Sequence, residues 1–389
     1  MKRNHPVRVA YDAQAFLSAN GGTGKGIQLR NLLGPFAGTF LGFATKGKSY
    51  AEHPLIQGGI GGYRVWQQIS LPVLLQRWKA DYFLAPYNTA PWLIPNRTKL
   101  ILVLHDAIIM GKYAGGDFFG SVDHVYRRLL INRAVSRAHV VLTVSEYSKQ
   151  QILARFPKAN VRVIPCSIAS SWFDPACRKD ITQRDNYILL VTGNVPHKNT
   201  SGALRAYARY LSSAEASTAA RLRIVGLSNS KDKFEREARE LGIAQLVDFE
   251  PYVTDAELQN LYRSARLVLV PSFMEGFGIP VLEAMASGTP VASSNAGSLP
   301  EVGDSAPIYF DPKDIDAMAS VLVQVLGDEG LQQRMMDAGI NRAQQFRPDA
   351  VQHEVESFWR GLATQLAGDE QFDFFSMPRE TTILEHGQR

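Results

Sequence analysis

The chain has 389 residues, more than one hydrophobic core ordinarily supports, so two domains are expected. Hydrophobic residues make up 45% and charged residues 20%, as in an ordinary soluble globular protein, and no apolar run is long enough to span a bilayer. The two cysteines, Cys166 and Cys177, define neither a disulfide framework nor a metal-ligand spacing. The net charge of +5 comes from scattered lysines and arginines, without the dense basic block or aromatic-basic repeat of a nucleic-acid binder. Phosphate-bearing small molecules and an anionic membrane surface fit that charge equally well. The start, MKRNHPVRVAYDA, lacks the apolar stretch of a signal peptide, so a reducing cytoplasm is the expected location.

A strand is expected at VRVAY (7–11), followed by the glycine-rich stretch SANGGTGKGIQ (18–28). A Walker loop needs glycine where Ala19 stands and a hydroxyl residue where Gly26 stands; GxGxxG fits Gly22 and Gly24 but meets Ile27 at its last glycine. Both patterns fail. What remains at Gly22, Thr23 and Gly24 is a flexible backbone ahead of an apolar-periodic segment (27–36). It either offers N–H groups to an anion or is a plain strand-to-helix connector. VWQQISLPVLLQRWK (65–79) reads as a core helix through Trp66, Leu71, Leu74, Leu75 and Trp78, with an interfacial role as the alternative. Strands follow at DYFLA (81–85), LILVL (100–104) and VVLTV (140–144). The second of them ends on His105 and Asp106, either ligand-facing groups or a turn and helix cap.

The rhythm breaks over 170–186, where SSWFDPACRKDITQRDN is polar and irregular, and restarts with YILLV (187–191). The segment VTGNVPHKNTSGALRAY (191–207) ends a strand at Gly193 and places Asn194, His197 and Lys198 in a short loop. A helix follows with Asn199 or Thr200 as cap. Lys198 stands at the mouth of the second sheet, where an ammonium can neutralise a diphosphate or remain solvated. After LRIVG (222–226) and a helix over 255–265 comes PSFMEGFGIPVLEAMASGTPV (271–291). Here Glu275 lies in a loop, Gly276 and Gly278 permit close backbone approach, Pro280 suits a first helical turn, and Gly288 ends the helix. Glu283 lies one turn into that helix. Two carboxylates around a helix start suit a ligand with hydroxyls on both sides of a phosphate, as in a sugar nucleotide. Asp314 and Asp316 form a DxD triplet, but at the start of an amphipathic helix, where acidic residues favour the dipole; no metal site is assigned. A terminal helix is expected over 347–366, with Val351, Val355, Phe358 and Leu362 on one face, before an aperiodic tail.

Apolar strands alternating with helices predict an α/β chain of two doubly wound Rossmann-like domains facing across a cleft. The domains are 1–178 and 185–346, followed by the terminal helix (347–367) and a tail (368–389).

Over roughly 7–365 the chain resembles glycosyltransferase family 4, retaining enzymes of GT-B architecture, in its mannosyltransferase-like branch. The resemblance rests on the E-x7-E signature, Glu275-GFGIPVL-Glu283, with the GGTGKG loop, HDAI (105–108), LTVSEYSK (142–149), FEPYVTDAELQNLY (249–262) and GSLPEV (297–302) in the expected order. It implies that the C-terminal domain binds a nucleoside diphosphate sugar, the N-terminal domain holds the acceptor, and the terminal helix packs back on the N-terminal domain. Glu275 would bind hydroxyls of the donor sugar and Glu283 the ribose. The backbone of Gly276, Phe277, Gly278 and Ile279 would line sugar and diphosphate, Lys198 would hold the diphosphate, and Tyr252 and Val253 would meet the base. His105 would lie beside the anomeric centre. His197 stands where relatives commonly carry an arginine, so diphosphate binding rests more on Lys198, the helix start and the loop at Gly22, Thr23 and Gly24.

The function so implied is hexosyl transfer with retention and without a metal or other cofactor. The expected donor is GDP-mannose, with UDP-linked sugars open. The expected acceptor is a glycan or polyprenyl-diphosphate-linked oligosaccharide of a bacterial surface polysaccharide, at the inner face of the cytoplasmic membrane, with peripheral contact to anionic lipid and none to nucleic acid. A non-catalytic nucleotide-sugar-binding subunit is the rival from another class.

Overall fold

The computed structural model describes residues 7–14, 24–34, 40–45, 55–105, 122–213, 219–227, 231–250 and 253–367. Among them, two wholly parallel sheets form. The first has seven strands: β1 (Val9–Asp12), β2 (Phe40–Ala44), β3 (Leu55–Gln57), β4 (Tyr82–Ala85), β5 (Lys99–Val103), β6 (Ala138–Thr143) and β7 (Val161–Val163), in the order β3-β2-β1-β4-β5-β6-β7. The second has six: β8 (Asp185–Val191), β9 (Arg221–Val225), β10 (Val247–Phe249), β11 (Ala265–Val270), β12 (Val291–Ser294) and β13 (Ile308–Phe310), in the order β10-β9-β8-β11-β12-β13.

Strand periodicity explains the layering. Successive side chains alternate faces, so a strand apolar at every position must feed two cores. In β1, Val9 and Tyr11 enter one cluster and Ala10 another. In β8, Ile188 and Leu190 face one core while Tyr187 and Leu189 face the other. Each fully buried aliphatic side chain contributes roughly 1.5–3 kcal/mol. Both sheets are therefore covered by helices on both faces, the doubly wound arrangement expected.

In each sheet the chain order reverses beside the first strand, between β1 and β4 and between β8 and β11. Neighbouring connections there leave in opposite directions and open a crevice beyond the strand carboxyl ends.

The terminal helix Pro348–Ala367 returns to the first domain. Val351, Val355, Trp359 and Leu362 form its buried stripe, and the Trp359 indole donates to the Leu32 carbonyl at 2.8 Å. Phe358 is only partly buried; Trp359, one position on, is the deeper anchor. The irregular connector holds three short 3-10 turns, yet Trp172 and Phe173 are buried in the second domain, with Trp172 edge-on to Tyr262 at 5.2 Å. The helical stretch from Tyr63 to Trp78 contains a π-helical turn at Trp66–Ser70. It buries Trp66, Leu71 and Leu75, half-buries Leu74 and Trp78, and exposes Val65, Ile69 and Val73 on the other side.

Candidate active site

The crevice of the second sheet lies between the ends of β8 and β11, and two predicted residues meet there. After β8 the chain makes a 3-10 turn, Pro196–Lys198, and Asn199 takes a left-handed backbone (φ 54°) at the start of the helix Thr200–Leu211. Asn199 occupies the cap position, but its side chain does not cap. Its amide donates instead to the Pro271 and Pro312 carbonyls at 3.0 and 2.9 Å, fixing the loop against the ends of β11 and β13. A further tie runs from the Phe273 N–H to the His197 carbonyl at 2.7 Å. Lys198 Nζ then lies 2.8 Å from Glu275 Oε1, which also accepts from Ser272 Oγ at 2.6 Å. Burial alone pushes the Glu275 carboxyl up, but the Lys198 ammonium, the Ser272 hydroxyl and the His197 side chain outweigh it and hold it below its ordinary range. Glu275 is an ionised, buried acceptor.

The loop carrying Glu275 is pinned from behind. Gly297 has φ 65°, and a Cβ there would stand 2.7 Å from the Glu275 carbonyl oxygen, so only glycine fits. Ser298 Oγ reaches the Glu275 and Phe277 carbonyls at 3.0 and 2.7 Å, and Ser294 Oγ donates to the Ser272 carbonyl at 2.6 Å. Gly278, at φ 114°, turns the chain into the helix Ile279–Ala286, with Pro280 in its first turn. That helix start is held beside the Lys198–Glu275 pair, where its dipole favours an anion.

Glu283 is buried one turn further on. Burial pushes its carboxyl up to about 7 and Asp255 pushes the same way, while the Tyr262 hydroxyl and Lys198 pull part of the way back. The sign of the consequence follows directly. Between the ordinary value of 4.5 and about 7, the folded chain binds more protons at Glu283 than the unfolded chain, so stability falls as pH rises through that window. The effect is on the order of 3 kcal/mol. Glu283→Gln is expected to raise the melting temperature at pH 8 and flatten the decline between pH 5 and pH 8. Melting curves at both pH values check this, and an unchanged slope refutes it.

At the first sheet's crevice, the ends of β1, β4 and β5 bring together residues from distant segments. His105 is buried; its N–H donates to Asn88 Oδ1 at 3.0 Å, and its Nε2 lies 3.0 Å from the Pro86 carbonyl. A carbonyl can only accept, so Nε2 carries the proton. Sequence reasoning passed over Asp12, the last residue of β1. Burial lifts its carboxyl to about 6, although the Gln14 N–H and the Tyr63 hydroxyl (2.8 Å) pull against it. Tyr63, Gln67, Tyr87, Asn88, Thr89 and Tyr126 line a groove of about 200 Å³ at this point. Its polar and aromatic walls suit a ligand rich in hydroxyls.

The two domains touch at the site. Ser145, after β6, caps the helix Glu146–Arg155 by accepting from the Ser148 N–H and donates to the Gly276 carbonyl at 2.6 Å; Ser148 Oγ reaches the same carbonyl at 3.0 Å. The Glu301 carboxylate accepts from the Glu146 and Tyr147 N–H groups at 2.7 and 3.0 Å. The first domain therefore bears on the loop beside Glu275.

Of the other predicted residues, Asn194 is exposed in the loop before Lys198, Phe277 is buried, and Val253 packs against the second domain's core. Gly24 begins the helix Gly24–Leu33, three residues earlier than the apolar period suggested; Gly22, Thr23, Asp106 and Tyr252 lie outside the described residues. Asp314 caps its helix by accepting from the Ala317 N–H, and Asp316 pairs with Arg209, as the helix-start reading expects. Among the described residues no group of three or more His, Cys, Asp or Glu could hold a metal ion. A larger groove, about 920 Å³, is lined by the starting residues of β8 and β9, by β10 with Glu250 after it, and by the helix Lys231–Glu240. Two of its three arginines are already matched, Arg221 to Asp248 and Arg223 to Glu250, and its β8 and β9 residues stand at strand amino ends, which are not where ligands collect. Ser145, Ser148, Ser298 and Glu301 were given no role from sequence; their one signal was that they lie in LTVSEYSK (142–149) and GSLPEV (297–302), stretches that carry the resemblance.

Two family models match the chain in succession, Glycosyltransferase Family 4 over residues 31–171 and Glycosyl transferases group 1 over residues 178–342. The chain is 32% identical over 231 residues to O-antigen chain mannosyltransferase B of Escherichia coli, covering 57% of this chain and 60% of that one. It is 33% identical over 232 residues to the MMP alpha-(1->4)-mannosyltransferase of Mycolicibacterium hassiacum, covering 58% and 52%. The match thus spans little more than half the length of these relatives. Among solved structures, Anabaena Alr3699/HepE in complex with UDP and glucose superposes with a TM-score of 0.70 at 17% identity, over 91% of this chain and 99% of the other.

Proposed function

Because the chain belongs to the family 4-like glycosyltransferases of GT-B architecture, we propose that it transfers mannose from GDP-mannose, with retention, to a hydroxyl of a glycan or polyprenyl-diphosphate-linked oligosaccharide. The product would be a bacterial surface polysaccharide. The observation that carries this reading is the Lys198–Glu275 pair at the β8/β11 crevice, beside the start of the helix that bears Glu283. The mannosyltransferase names of the two relatives support the choice of sugar.

The chemistry follows from charge. The bond from the anomeric carbon to the diphosphate breaks, and the acceptor oxygen bonds to the same face. The acceptor proton passes to the leaving phosphate. Positive charge grows on the sugar while negative charge grows on the diphosphate. Lys198 and the helix start stabilise the latter, and this reading assigns no metal ion to that task. Glu275, kept ionised, orients Lys198 and accepts from sugar hydroxyls. Glu283 accepts from the ribose, Val253 lies toward the base, and His105, with Nε2 committed to Pro86, stands on the acceptor side.

A thermal-shift panel across GDP-, UDP-, dTDP- and ADP-sugars tests the donor, since a ligand at 100 times its dissociation constant adds about 2.7 kcal/mol. GDP-mannose is expected to give the largest rise. A rise with UDP-sugars alone favours the second reading, for which the UDP and glucose bound to Alr3699/HepE is the supporting observation. Stabilisation by none of them ends the donor assignment.

A further inference from the structure

The loop from Ser272 to Gly278 carries one charged side chain, Glu275, so what it offers an anion is backbone N–H. Among the described residues, the N–H groups of Glu275, Gly276, Phe277, Gly278 and Ile279 have no protein acceptor. The carbonyls of the same stretch are all engaged. Glu275 and Phe277 accept from Ser298 Oγ, Gly276 accepts from Ser145 Oγ and Ser148 Oγ, and Gly278 accepts from the Val281 and Leu282 N–H groups. A buried loop with every carbonyl held and its amides in a row without partners is built to meet an acceptor from outside the chain.

Peptide geometry links the two halves of that pattern. In a planar trans peptide the carbonyl and the following N–H point in opposite directions. Holding the Glu275, Gly276 and Phe277 carbonyls therefore fixes the N–H directions of Gly276, Phe277 and Gly278. Ser298, in the second domain, holds the outer two carbonyls at 3.0 and 2.7 Å. The middle one is held from the first domain alone, by Ser145 at 2.6 Å and Ser148 at 3.0 Å, which together fill both of its lone pairs. Gly276 has no Cβ to restrict its backbone, so this peptide most needs an outside anchor.

The anchor is itself rigid. Ser145 is fully buried and Ser148 nearly so. The Ser148 N–H donates to Ser145 Oγ at 3.1 Å, and the Glu301 carboxylate of the second domain holds the next two N–H groups of the same helix start. Ser145 follows β6, the neighbour of β5, whose end leads to His105. One helix start thus joins the His105 side of the molecule to the peptide after Glu275.

We propose that Ser145 and Ser148 are positioning residues for the donor's diphosphate, holding the Gly276 carbonyl away so that the Phe277 N–H stays aimed at a phosphate oxygen beside Lys198. Their hydroxyls act through the peptide and need touch no ligand atom. The diphosphate site of the second domain is then complete only while the first domain is in contact with it. This rests on the reading of the second crevice as a nucleoside diphosphate site, and the test separates the two.

The test is titration calorimetry of the full chain with GDP and with UDP. Ser145→Ala with Ser148→Ala should weaken binding of whichever nucleotide the wild type takes by about tenfold, the effect of misaiming one hydrogen bond to a charged oxygen. Ser298→Ala should weaken it by a similar factor from within the second domain. Ser148→Ala alone keeps the Ser145 helix cap, so it folds if the double variant does not, and it should show a smaller loss in the same direction. Hydroxyls that merely tie the domains together would leave nucleotide affinity unchanged. Unchanged affinity in the double variant, or in Ser148→Ala, overturns the proposal while leaving the diphosphate reading intact. A wild type that binds neither nucleotide removes that reading, and the proposal with it.

Discussion

Lys198→Ala is expected to lower kcat/KM for the donor by about 10²–10³-fold, the cost of losing one preorganised group at a site of developing charge. The ammonium ties the β8 loop to the Glu275 loop, four residues ahead of the helix Ile279–Ala286. Glu275→Gln should cost a similar factor by a different route, because it keeps the shape but removes the charge that orients Lys198. Lys198 and Ser272 both contact Glu275 Oε1, so the two substitutions act on one unit, and the double variant should be little worse than either single one. Initial rates with the donor chosen by the thermal-shift panel measure this, with melting curves to show that each variant is folded. Full activity in either single variant would remove the pair from the mechanism.

Most inner strands were legible as short apolar runs, as at 82–85, 100–103 and 187–191, but β2 (Phe40–Ala44) was passed over, its short run being interrupted by Gly42, where a Cβ would meet the Tyr11 and Leu55 side chains. The strands that sequence reasoning passed over have physical reasons to be quiet. β3, β7, β10 and β13 are the four sheet edges, each of three residues and paired on one side only, so they require no apolar run. β12, reading VASS, is buried but half polar; the Ser293 and Ser294 hydroxyls are satisfied by nearby backbone carbonyls, which composition does not reveal. Trp172 and Phe173 sat in a stretch read as a polar break, and only the tertiary core at Tyr262 shows why they are there.

For the site, sequence spacing located what lies on a single element. Glu275 and Glu283 flank one helix start, and Gly278 and Pro280 punctuate it, so that unit was readable from residue types alone. Spacing is silent about what crosses between elements. Ser145 and Ser148 meet Gly276 from 128 residues or more away, and Glu301 caps a helix of the other domain. Asp12 was hidden for another reason. A single carboxylate at a strand end looks like any turn residue, and its special state comes from burial beside Tyr63 of a helical stretch and Tyr87 of the loop after β4.

Arg184→Ala is expected to destabilise the second domain by about 3 kcal/mol or more, and to weaken catalysis from a residue far from the chemistry. Arg184 is 7% exposed and follows the last 3-10 turn of the connector. Its Nη1 donates to the Arg263 and Ala265 carbonyls at 3.0 Å each and to Thr289 Oγ1 at 2.9 Å; its Nη2 donates to the Gly288 carbonyl at 2.7 Å. Burial pulls the guanidinium down to about 10, so it remains charged at neutral pH and is solvated by carbonyls in place of water. Those carbonyls have a consequence for function. Ala265 begins β11, which leads into the Glu275 loop, while Gly288 closes the helix that carries Glu283. One side chain therefore clamps both ends of the unit that holds the two glutamates. Truncation leaves buried carbonyls without donors and opens a cavity, and should lower the melting temperature by roughly 6–12 °C. Arg184→Lys keeps the charge but not the planar fork that reaches several acceptors at once, so it should fall between wild type and alanine. A melting temperature for Arg184→Ala within about 1 °C of wild type would show that the clamp is redundant. If the clamp acts as described, the alanine variant should also lose donor-induced stabilisation, because loosening the start of β11 or the end of the helix moves Glu283 relative to Glu275.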